Sequence, residues 1–391
     1  MSGESLPGQG MGRPTTPAGR RRSRRLPRLL PSVLCGISLA GCAGDYPQTT
    51  FRPVTDFGAS INDVLGHAFW WMMGILVLVE VLLVFVILRF RSRPDQEEPR
   101  QVYGHLGLEV IWTLVPAVIV IAIAVPTVRT IFAISAPPGD DALVVDVVGH
   151  QWWWEFRYPQ YEVVTANEFY LPVGRPVHLR LRSADVVHSF WIPRFGGKRD
   201  TNPITAAAAE EGAGVNHLTF TISEPGFYSG QCAEYCGTSH ALMRMQAVAV
   251  DEGAFEAWVQ YMKTPPAPPE GSLAARGQEV FMRSPCIACH TINGTNARGA
   301  IGPNLTSFGD RWSIGAGVAE NTPENLAAWI RNPQGLKPGA LMPGTKAGPG
   351  ALPPTNLGED DVEAVVAYLR SLRGAPEPPG TASRSSSTRR E

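Results

Sequence analysis

The chain has 391 residues, of which 44% are hydrophobic and 18% are charged, and its formal net charge is −1 at pH 7. This composition is too apolar for a disordered protein, and the length exceeds that of a disulfide-stapled miniprotein and allows two or three domains. The first 41 residues hold seven arginines and one glutamate, so the rest of the chain is acidic. We therefore expect no nucleic-acid partner.

The N-terminus has the pattern of an export signal. A cluster of arginines precedes the apolar run Leu29 to Ala40, which is too short to span a bilayer. The run ends in Leu39-Ala-Gly-Cys42, which resembles the cleavage box of bacterial lipoproteins. We expect a lipoprotein-type signal over residues 1–41 and a lipid anchor at Cys42; the alternative is a signal that is cut nearby without lipidation.

Two apolar windows predict a transmembrane helical hairpin over residues 57–135. Ala68 to Leu88 contains one charge, Glu80, and Val110 to Val128 contains none; a span needs about 20 apolar residues. The link between the windows is rich in arginine, so the positive-inside rule places it in the cytoplasm and both outer ends of the hairpin outside. No role for Glu80 follows from this pattern.

Residues 140–262 change to a β pattern. Apolar and polar residues alternate in Val177 to Arg182 and in His217 to Ile222, and Pro and Gly separate short strand-like runs. This spacing predicts an all-β sandwich or barrel, closed by a helix from Glu252 to Met262. His178 and His217 fall within the strand patterns, and we expect both to be ordinary surface histidines.

A Pro-rich, semi-rigid linker over residues 263–272 leads to a second domain outside the membrane. Residues 273–373 have helical patterns at both ends, from Leu273 to Met282 and from Glu359 to Leu372. The tail over residues 374–391 is rich in Pro, Ser and Arg, and we expect it to be disordered.

Soft metal ligands fall within twelve residues: Cys232, Cys236, His240 and Met243. Thiolates and imidazoles suit copper or zinc, and the thioether favours copper. His188 is a further candidate from a neighbouring strand. Two cysteines at this spacing can bridge two coppers, each with its own histidine, and the weak positions fall to the methionine and the carbonyl of Glu234. The alternative is a disulfide between the cysteines, which an oxidising compartment permits.

The run Cys286-Ile-Ala-Cys289-His290 has the spacing of a covalent c-type heme site, with His290 as the proximal iron ligand. A thioredoxin-like C-x-x-C is the rival, but it needs a βαβ context that this segment lacks. Met342 is the candidate for the sixth ligand, and a Met/His pair favours electron transfer. The alternative for this methionine is a place in the core.

The hairpin, the β domain and the C-x-E-x-C-x-x-x-H-x-x-M run resemble subunit II of the heme–copper cytochrome c oxidases. The resemblance covers about residues 57–262 and includes three further runs: Glu109-Val-Ile-Trp-Thr-Leu-Val-Pro116, Gly149-His-Gln-Trp-Trp-Trp-Glu155 and Gly226-Phe-Tyr-Ser-Gly-Gln-Cys232. The added heme segment is similar to that of the bacterial caa-type oxidases, in which cytochrome c is fused to subunit II.

This resemblance implies a multi-domain chain with a two-helix transmembrane hairpin, an all-β cupredoxin-like domain holding a dinuclear CuA centre, and an all-α class I cytochrome c domain holding heme c. The implied copper ligands are His188, Cys232, Glu234 through its carbonyl, Cys236, His240 and Met243. The Glu234 carboxylate would reach a magnesium shared with subunit I. Trp152 matches the aromatic residue that admits electrons, with a core tryptophan as the alternative. Glu109 matches the carboxylate at the mouth of a proton channel, with a headgroup-level charge as the alternative.

The implied function is the electron-entry subunit of a terminal respiratory oxidase in a bacterial plasma membrane, with both redox domains on the outer face. Electrons would pass from heme c to CuA and on to subunit I, which reduces oxygen to water and pumps protons. The expected partners are subunit I, subunit III and an external donor, either cytochrome c or a quinol-oxidising complex. The alternatives are a CuA-containing subunit of a nitric oxide reductase and a copper chaperone, whereas a quinol oxidase subunit would lack the copper ligands.

One segment departs from the family pattern. After Lys198-Arg-Asp200, the chain has Pro203 without the Gly-Arg that usually follows, and the loop is longer, through Gly214. This departure bears on the contacts of the loop with subunit I and leaves the copper ligands intact.

Overall fold

The computed structural model describes residues 46–91, 101–348 and 352–373. The predicted export signal with Cys42, most of the arginine-rich link and the C-terminal tail lie outside the described residues.

Two long helices form the predicted hairpin: α1 (Asp56–Arg89) and α2 (Leu106–Ile134). Both are long and apolar enough to cross a membrane. At 1.5 Å per residue α1 is about 51 Å long, which exceeds the roughly 30 Å hydrocarbon core of a bilayer. Part of α1 must therefore project beyond the apolar layer.

The N-terminal end of α1 packs into the core of the β domain, which we define as residues 140–262. Val54 and Phe57 lie in the core of this domain. The Asp56 carboxylate accepts a hydrogen bond from the Thr221 N–H at 2.8 Å. Ile134, at the end of α2, packs against the same core. Both helices of the hairpin therefore attach to the domain that they support.

The β domain is the predicted sandwich, with two five-stranded sheets. Its strands are β1 (Leu143–His150), β2 (Trp153–Tyr158), β3 (Val163–Ala166), β4 (Glu168–Pro172), β5 (Pro176–Ser183), β6 (His188–Trp191), β7 (Arg199–Thr201), β8 (Asn216–Thr221), β9 (Gly226–Cys232) and β10 (Arg244–Val250). One sheet has the order β3-β2-β1-β5-β8 and the other β4-β10-β9-β6-β7. The departing loop contains a short helix, α3 (Ala206–Glu210), and α4 (Glu252–Lys263) closes the domain.

The apolar positions of the two sheets alternate with polar ones and meet in one core. Phe156 from β2 stacks on Phe169 from β4 with ring centroids 3.8 Å apart, and Trp154 packs edge-on against Phe190. These aromatic contacts join the two layers close to the edge where β6 begins and β9 ends.

The prediction for His178 is wrong, because this histidine is buried. Its ring stacks on that of His217, and its Nδ1 lies 2.8 Å from the hydroxyl of Thr219 on β8. His217 is exposed, as expected. Position in an alternating strand gives the face of the sheet, whereas the burial of a residue on the outer face depends on its cross-strand neighbour.

Residues 273–373, here the C-terminal domain, form a helical unit around a second apolar core. Its helices are α5 (Ser272–Arg283), α6 (Cys286–Cys289), α7 (Pro323–Arg331), α8 (Pro333–Leu336) and α9 (Glu359–Ser371). A two-stranded sheet of β11 (Ser313–Ile314) and β12 (Ala319–Glu320), which the sequence pattern did not predict, lies between them. α5 and α9 cross closely because Gly277 has no side chain: a Cβ there would lie 1.9 Å from the Ala364 carbonyl oxygen.

We expect Gly277→Ala to destabilise the C-terminal domain by about 3 kcal/mol, because the added methyl group collides with the backbone of α9. Thermal unfolding of the full chain, followed at this domain, measures the effect. Gly358→Ser is the matched control, since a Cβ at Gly358 meets open space and a serine can cap α9. Equal stability of the two variants would contradict the close crossing.

Candidate copper and heme sites

The candidate copper ligands lie on one loop, Cys232–Met243, which we call the copper loop. It connects β9 to β10, and the Cys232 N–H donates to the Met243 carbonyl at 2.9 Å, which closes it. β6 pairs with β9 in the register Phe190 to Cys232. This register brings His188, at the start of β6, beside the loop.

The sulfur and nitrogen atoms of the predicted set lie together. The Sγ atoms of Cys232 and Cys236 are 3.7 Å apart. His188 Nδ1 is 3.9 Å from the Cys232 sulfur, and His240 Nδ1 is 3.5 Å from the Cys236 sulfur. The Met243 sulfur lies 3.9 Å from that of Cys236. One histidine therefore lies beside each cysteine, and the assignment of these residues as ligands of two coppers stays a prediction.

The donor set fits copper. The cysteines are free thiols at a separation well beyond the about 2.05 Å of a disulfide bond. Both sulfurs and His188 are buried, and buried thiolate, imidazole and thioether donors suit this metal. The Glu234 carbonyl lies 3.2 Å from the Cys232 sulfur, within the same cluster of donors. The Glu234 carboxylate instead pairs with Lys198 at 2.9 Å near the surface, and its role at a magnesium stays a prediction.

The charges of the site favour one thiolate. The hydrogen bond from Cys236 lowers the pKa of Cys232 to about 3, against the effect of burial, and His188 adds to the shift. The same hydrogen bond, with burial, raises the pKa of Cys236. Burial opposes a charge on His188, but its 2.7 Å hydrogen bond to Asp185 raises the pKa of the imidazole. A metal that binds here must displace protons, so its affinity falls at low pH.

Trp152 lies directly beside the copper loop. Its indole N–H donates to the Cys236 carbonyl at 3.0 Å, and the side chain of Gln151 donates to the same oxygen at 2.8 Å. Trp152 is 9% exposed, Trp153 on the opposite face stacks on His150, and Trp154 is in the core. Sequence reasoning missed Gln151, although it belongs to the quoted tryptophan run, and Asp185, which precedes His188 by three residues.

The candidate heme-binding residues surround the short helix α6. The His290 N–H donates to the Cys286 carbonyl at 3.0 Å, and its ring Nδ1 donates to the Pro303 carbonyl at 2.8 Å. This bond places the ring proton on Nδ1 and the lone pair on Nε2. Burial lowers the pKa of His290, which keeps the imidazole neutral. A neutral, oriented imidazole is the form that ligates a metal.

Glycines allow the loop after α6 to pack against the histidine. A Cβ at Gly302 would lie 2.8 Å from the His290 ring, and one at Gly299 would lie 2.5 Å from the backbone of α6. Cys286 and Met342 pack against the same apolar core, and the Met342 sulfur accepts a hydrogen bond from the Trp329 indole at 3.1 Å. Two free thiols, a neutral imidazole and a thioether around one apolar core fit a covalent heme.

Glu109 takes no part in either cluster. It lies in the first turn of α2, at the end remote from the β domain. Its carboxylate accepts a hydrogen bond from the His105 N–H at 3.2 Å, and the His105 ring accepts one from the Leu108 N–H at 3.3 Å. Glu109 therefore helps to cap α2, and its role at a proton channel stays a prediction.

Three family models match consecutive parts of the chain. They describe the transmembrane domain of cytochrome c oxidase subunit II, over residues 56–130, its periplasmic domain, over 163–250, and cytochrome c, over 274–373. Cytochrome c oxidase subunit 2 of Alkalihalophilus pseudofirmus is 38% identical over 353 residues, which cover 88% of this chain and 97% of that protein. The chain belongs to the cytochrome c oxidase subunit 2 family.

The chain is also similar to other oxidase subunits. Cytochrome c oxidase subunit 2 of Bacillus subtilis is 33% identical over 87% of this chain and 96% of its own length. Quinol oxidase subunit 2 of Bacillus cereus is 29% identical over 60% of this chain and 79% of its own length. The solved periplasmic domain of subunit II from the Bradyrhizobium japonicum oxidase is 28% identical and covers 32% of this chain and 94% of that one, with a TM-score of 0.28.

As a member of the subunit 2 family with a cytochrome c domain, the chain is an electron-entry component of a heme–copper oxidase. It is a membrane protein that associates with subunit I and has its β domain outside. The cytochrome c domain implies heme c, and the periplasmic domain implies copper.

We expect Met342→Leu to lower the reduction potential of the heme, because a methionine ligand opposite a histidine raises that potential. A redox titration of the full chain, followed in the heme absorbance, measures the change. Met282→Leu is the control, because Met282 packs against the same apolar core but precedes α6 within α5. An unchanged potential in Met342→Leu would show that Met342 is a core residue only.

Proposed function

We propose that this chain passes electrons from its own heme c to a dinuclear CuA centre and then to subunit I, where oxygen is reduced to water and protons are pumped. Copper would be held by His188, Cys232, the Glu234 carbonyl, Cys236, His240 and Met243. Heme would be held by Cys286, Cys289, His290 and Met342. When bound, these groups supply the one-electron redox chemistry, and the chain supplies their spacing and surroundings.

One contact carries the proposal: the segment Lys337–Met342, here the methionine loop, rests on Trp152. A Cβ at Gly339 would lie 2.7 Å from the indole ring, so the loop backbone packs directly against it. The Ser239 hydroxyl, in the copper loop, donates to the Pro338 carbonyl at 2.6 Å. Because the Trp152 indole also bonds the Cys236 carbonyl, a single aromatic side chain joins the two sets of ligands.

The surroundings of both sets suit electron transfer. Buried ligands whose orientation is fixed by further hydrogen bonds, such as Asp185 on His188 and Pro303 on His290, limit the rearrangement that accompanies a change of charge. The Pro-rich linker keeps the C-terminal domain near the β domain, so the step between them is intramolecular at a high effective concentration.

The remaining expectations complete the proposal. They are a magnesium at the Glu234 carboxylate, a proton channel that begins near Glu109, a lipid anchor at Cys42, subunit III as a partner, and cytochrome c or a quinol-oxidising complex as the external donor. The lipid anchor follows from the cleavage box that ends at Cys42, and the others follow from the resemblance to the oxidase subunits.

The first test is a count of metals in the full chain, reconstituted in detergent, together with its EPR spectrum. We expect two coppers that share one unpaired electron and one covalent heme per chain. One copper or none, with a disulfide between Cys232 and Cys236, would contradict the CuA assignment and favour a copper chaperone.

We expect Trp152→Leu to slow electron transfer from heme to copper by at least about tenfold, equivalent to roughly 1.4 kcal/mol in the barrier. The leucine loses both the aromatic contact with Gly339 and the bond to the Cys236 carbonyl. Rapid reduction of the heme, followed by the absorbance of each centre, measures the rate. Trp153→Leu is the control, since Trp153 faces His150; equal slowing in both variants would argue against a specific path.

A further inference from the structure

Lys337 is a buried lysine at the contact between the C-terminal domain and the β domain. Its side chain is only 3% exposed. Its ammonium donates to three carbonyls, those of Trp152 at 2.5 Å, Leu242 at 2.8 Å and Gly315 at 2.6 Å. An ammonium has three N–H donors, so these bonds use all of them.

The three carbonyls come from three different segments. Trp152 precedes β2 and contacts the methionine loop, and Leu242 lies in the copper loop, directly before Met243. Gly315 lies in the turn between β11 and β12 of the C-terminal domain. One side chain therefore joins the methionine loop, the copper loop and the aromatic residue between them.

The burial of this cation is costly. Burial lowers the pKa of Lys337 to about 7, and the nearby Arg244 acts in the same direction while Cys236 opposes the shift. A buried ammonium is tolerated only where its donors are satisfied. An apolar residue of similar length would pack here without the desolvation cost of a charged group. We therefore attribute the presence of a lysine at this position to its three hydrogen bonds.

A second buried ionisable residue, Glu168, lies at the same contact. It belongs to the β domain and bonds the C-terminal domain, whereas Lys337 belongs to the C-terminal domain and bonds the β domain. The Glu168 carboxylate, on β4, accepts hydrogen bonds from the Trp312 N–H at 3.1 Å and from the Ser313 N–H at 3.0 Å. The Glu168 carboxylate thus docks the C-terminal domain through Trp312 and Ser313 rather than through Trp152 or the copper loop. It provides a comparison for separating docking from positioning.

We propose that Lys337 is a positioning residue for electron transfer: its ammonium fixes the methionine loop against Trp152 and the copper loop, and so sets the separation and orientation of the two redox sites. This inference rests on the proposed function, because it concerns the step from heme to copper. The hydrogen bonds of the Lys337 ammonium go to backbone carbonyls rather than to a predicted metal ligand, so it acts through the backbone of Trp152 and Leu242.

The test compares Lys337→Met with wild type in the full chain loaded with copper and heme. We expect transfer from heme to copper to slow by about tenfold, equivalent to roughly 1.4 kcal/mol in the barrier, because the methionine loop is then free to move away from Trp152. The transfer should also become dependent on solvent viscosity, because the linker must then return the C-terminal domain to its contact. Lys337→Arg, which keeps the charge, should restore part of the rate.

Two further variants separate the explanations. Lys346→Met removes an exposed lysine of the same domain and should transfer at the wild-type rate. Glu168→Gln should weaken docking and slow the transfer, but should leave the EPR signature of the copper centre unchanged, whereas Lys337→Met should shift it through the Leu242 carbonyl. Identical spectra and rates for Glu168→Gln and Lys337→Met would reduce Lys337 to a docking contact and overturn the proposal.

The outcomes also distinguish this inference from the proposed function. If the wild-type chain shows no transfer from heme to copper, the proposed function itself is wrong. If the wild type transfers and Lys337→Met matches its rate within about twofold, only the role of Lys337 is wrong. If Lys337→Met loads less copper or heme than wild type, Lys337→Gln is measured in its place, because its amide keeps two N–H donors. The rate of Lys337→Gln is then compared with that of wild type in the same way.

Discussion

The copper loop depends on one backbone hydrogen bond, from the Cys232 N–H to the Met243 carbonyl, which closes it between β9 and β10. Without that closure, the cysteines, His240 and the methionine would lie on a mobile connection rather than at the edge of a rigid sheet. The pairing of β6 with β9 then brings His188 to the same edge. The sandwich thus serves to hold one loop and one neighbouring strand in register.

The sequence was most informative where the ligands are local. The copper loop and the C-x-x-C-H run each hold their donors within a few residues, so spacing alone indicated the chemistry, and the two apolar windows indicated the hairpin. Lys337 could not be found in this way, because two of its three carbonyl partners lie 185 and 95 residues away. β11 and β12 have two residues each, too few for any periodicity, and the burial of His178 depends on a neighbour across the sheet.

The contact between the two domains also changes the interpretation of the role of Trp152. Sequence reasoning treated it as an aromatic residue that admits electrons or as a core residue. It is buried, but part of what covers it is Gly339, from the other domain. A glycine is needed there because its φ of +83° is in the left-handed region and its lack of a side chain lets the backbone reach the ring. An external protein cannot stack on that side of the indole while the methionine loop lies there.

The anchoring of α1 in the β domain has a mechanical consequence. A domain joined to a membrane by one flexible tether can tilt and move away from the surface, and its distance from the bilayer is then an average. Here Val54 and Phe57 at one helix and Ile134 at the other enter the same core. Attachment at two points removes most of that freedom, so the height of the copper loop above the membrane is fixed by helix length rather than by a binding equilibrium.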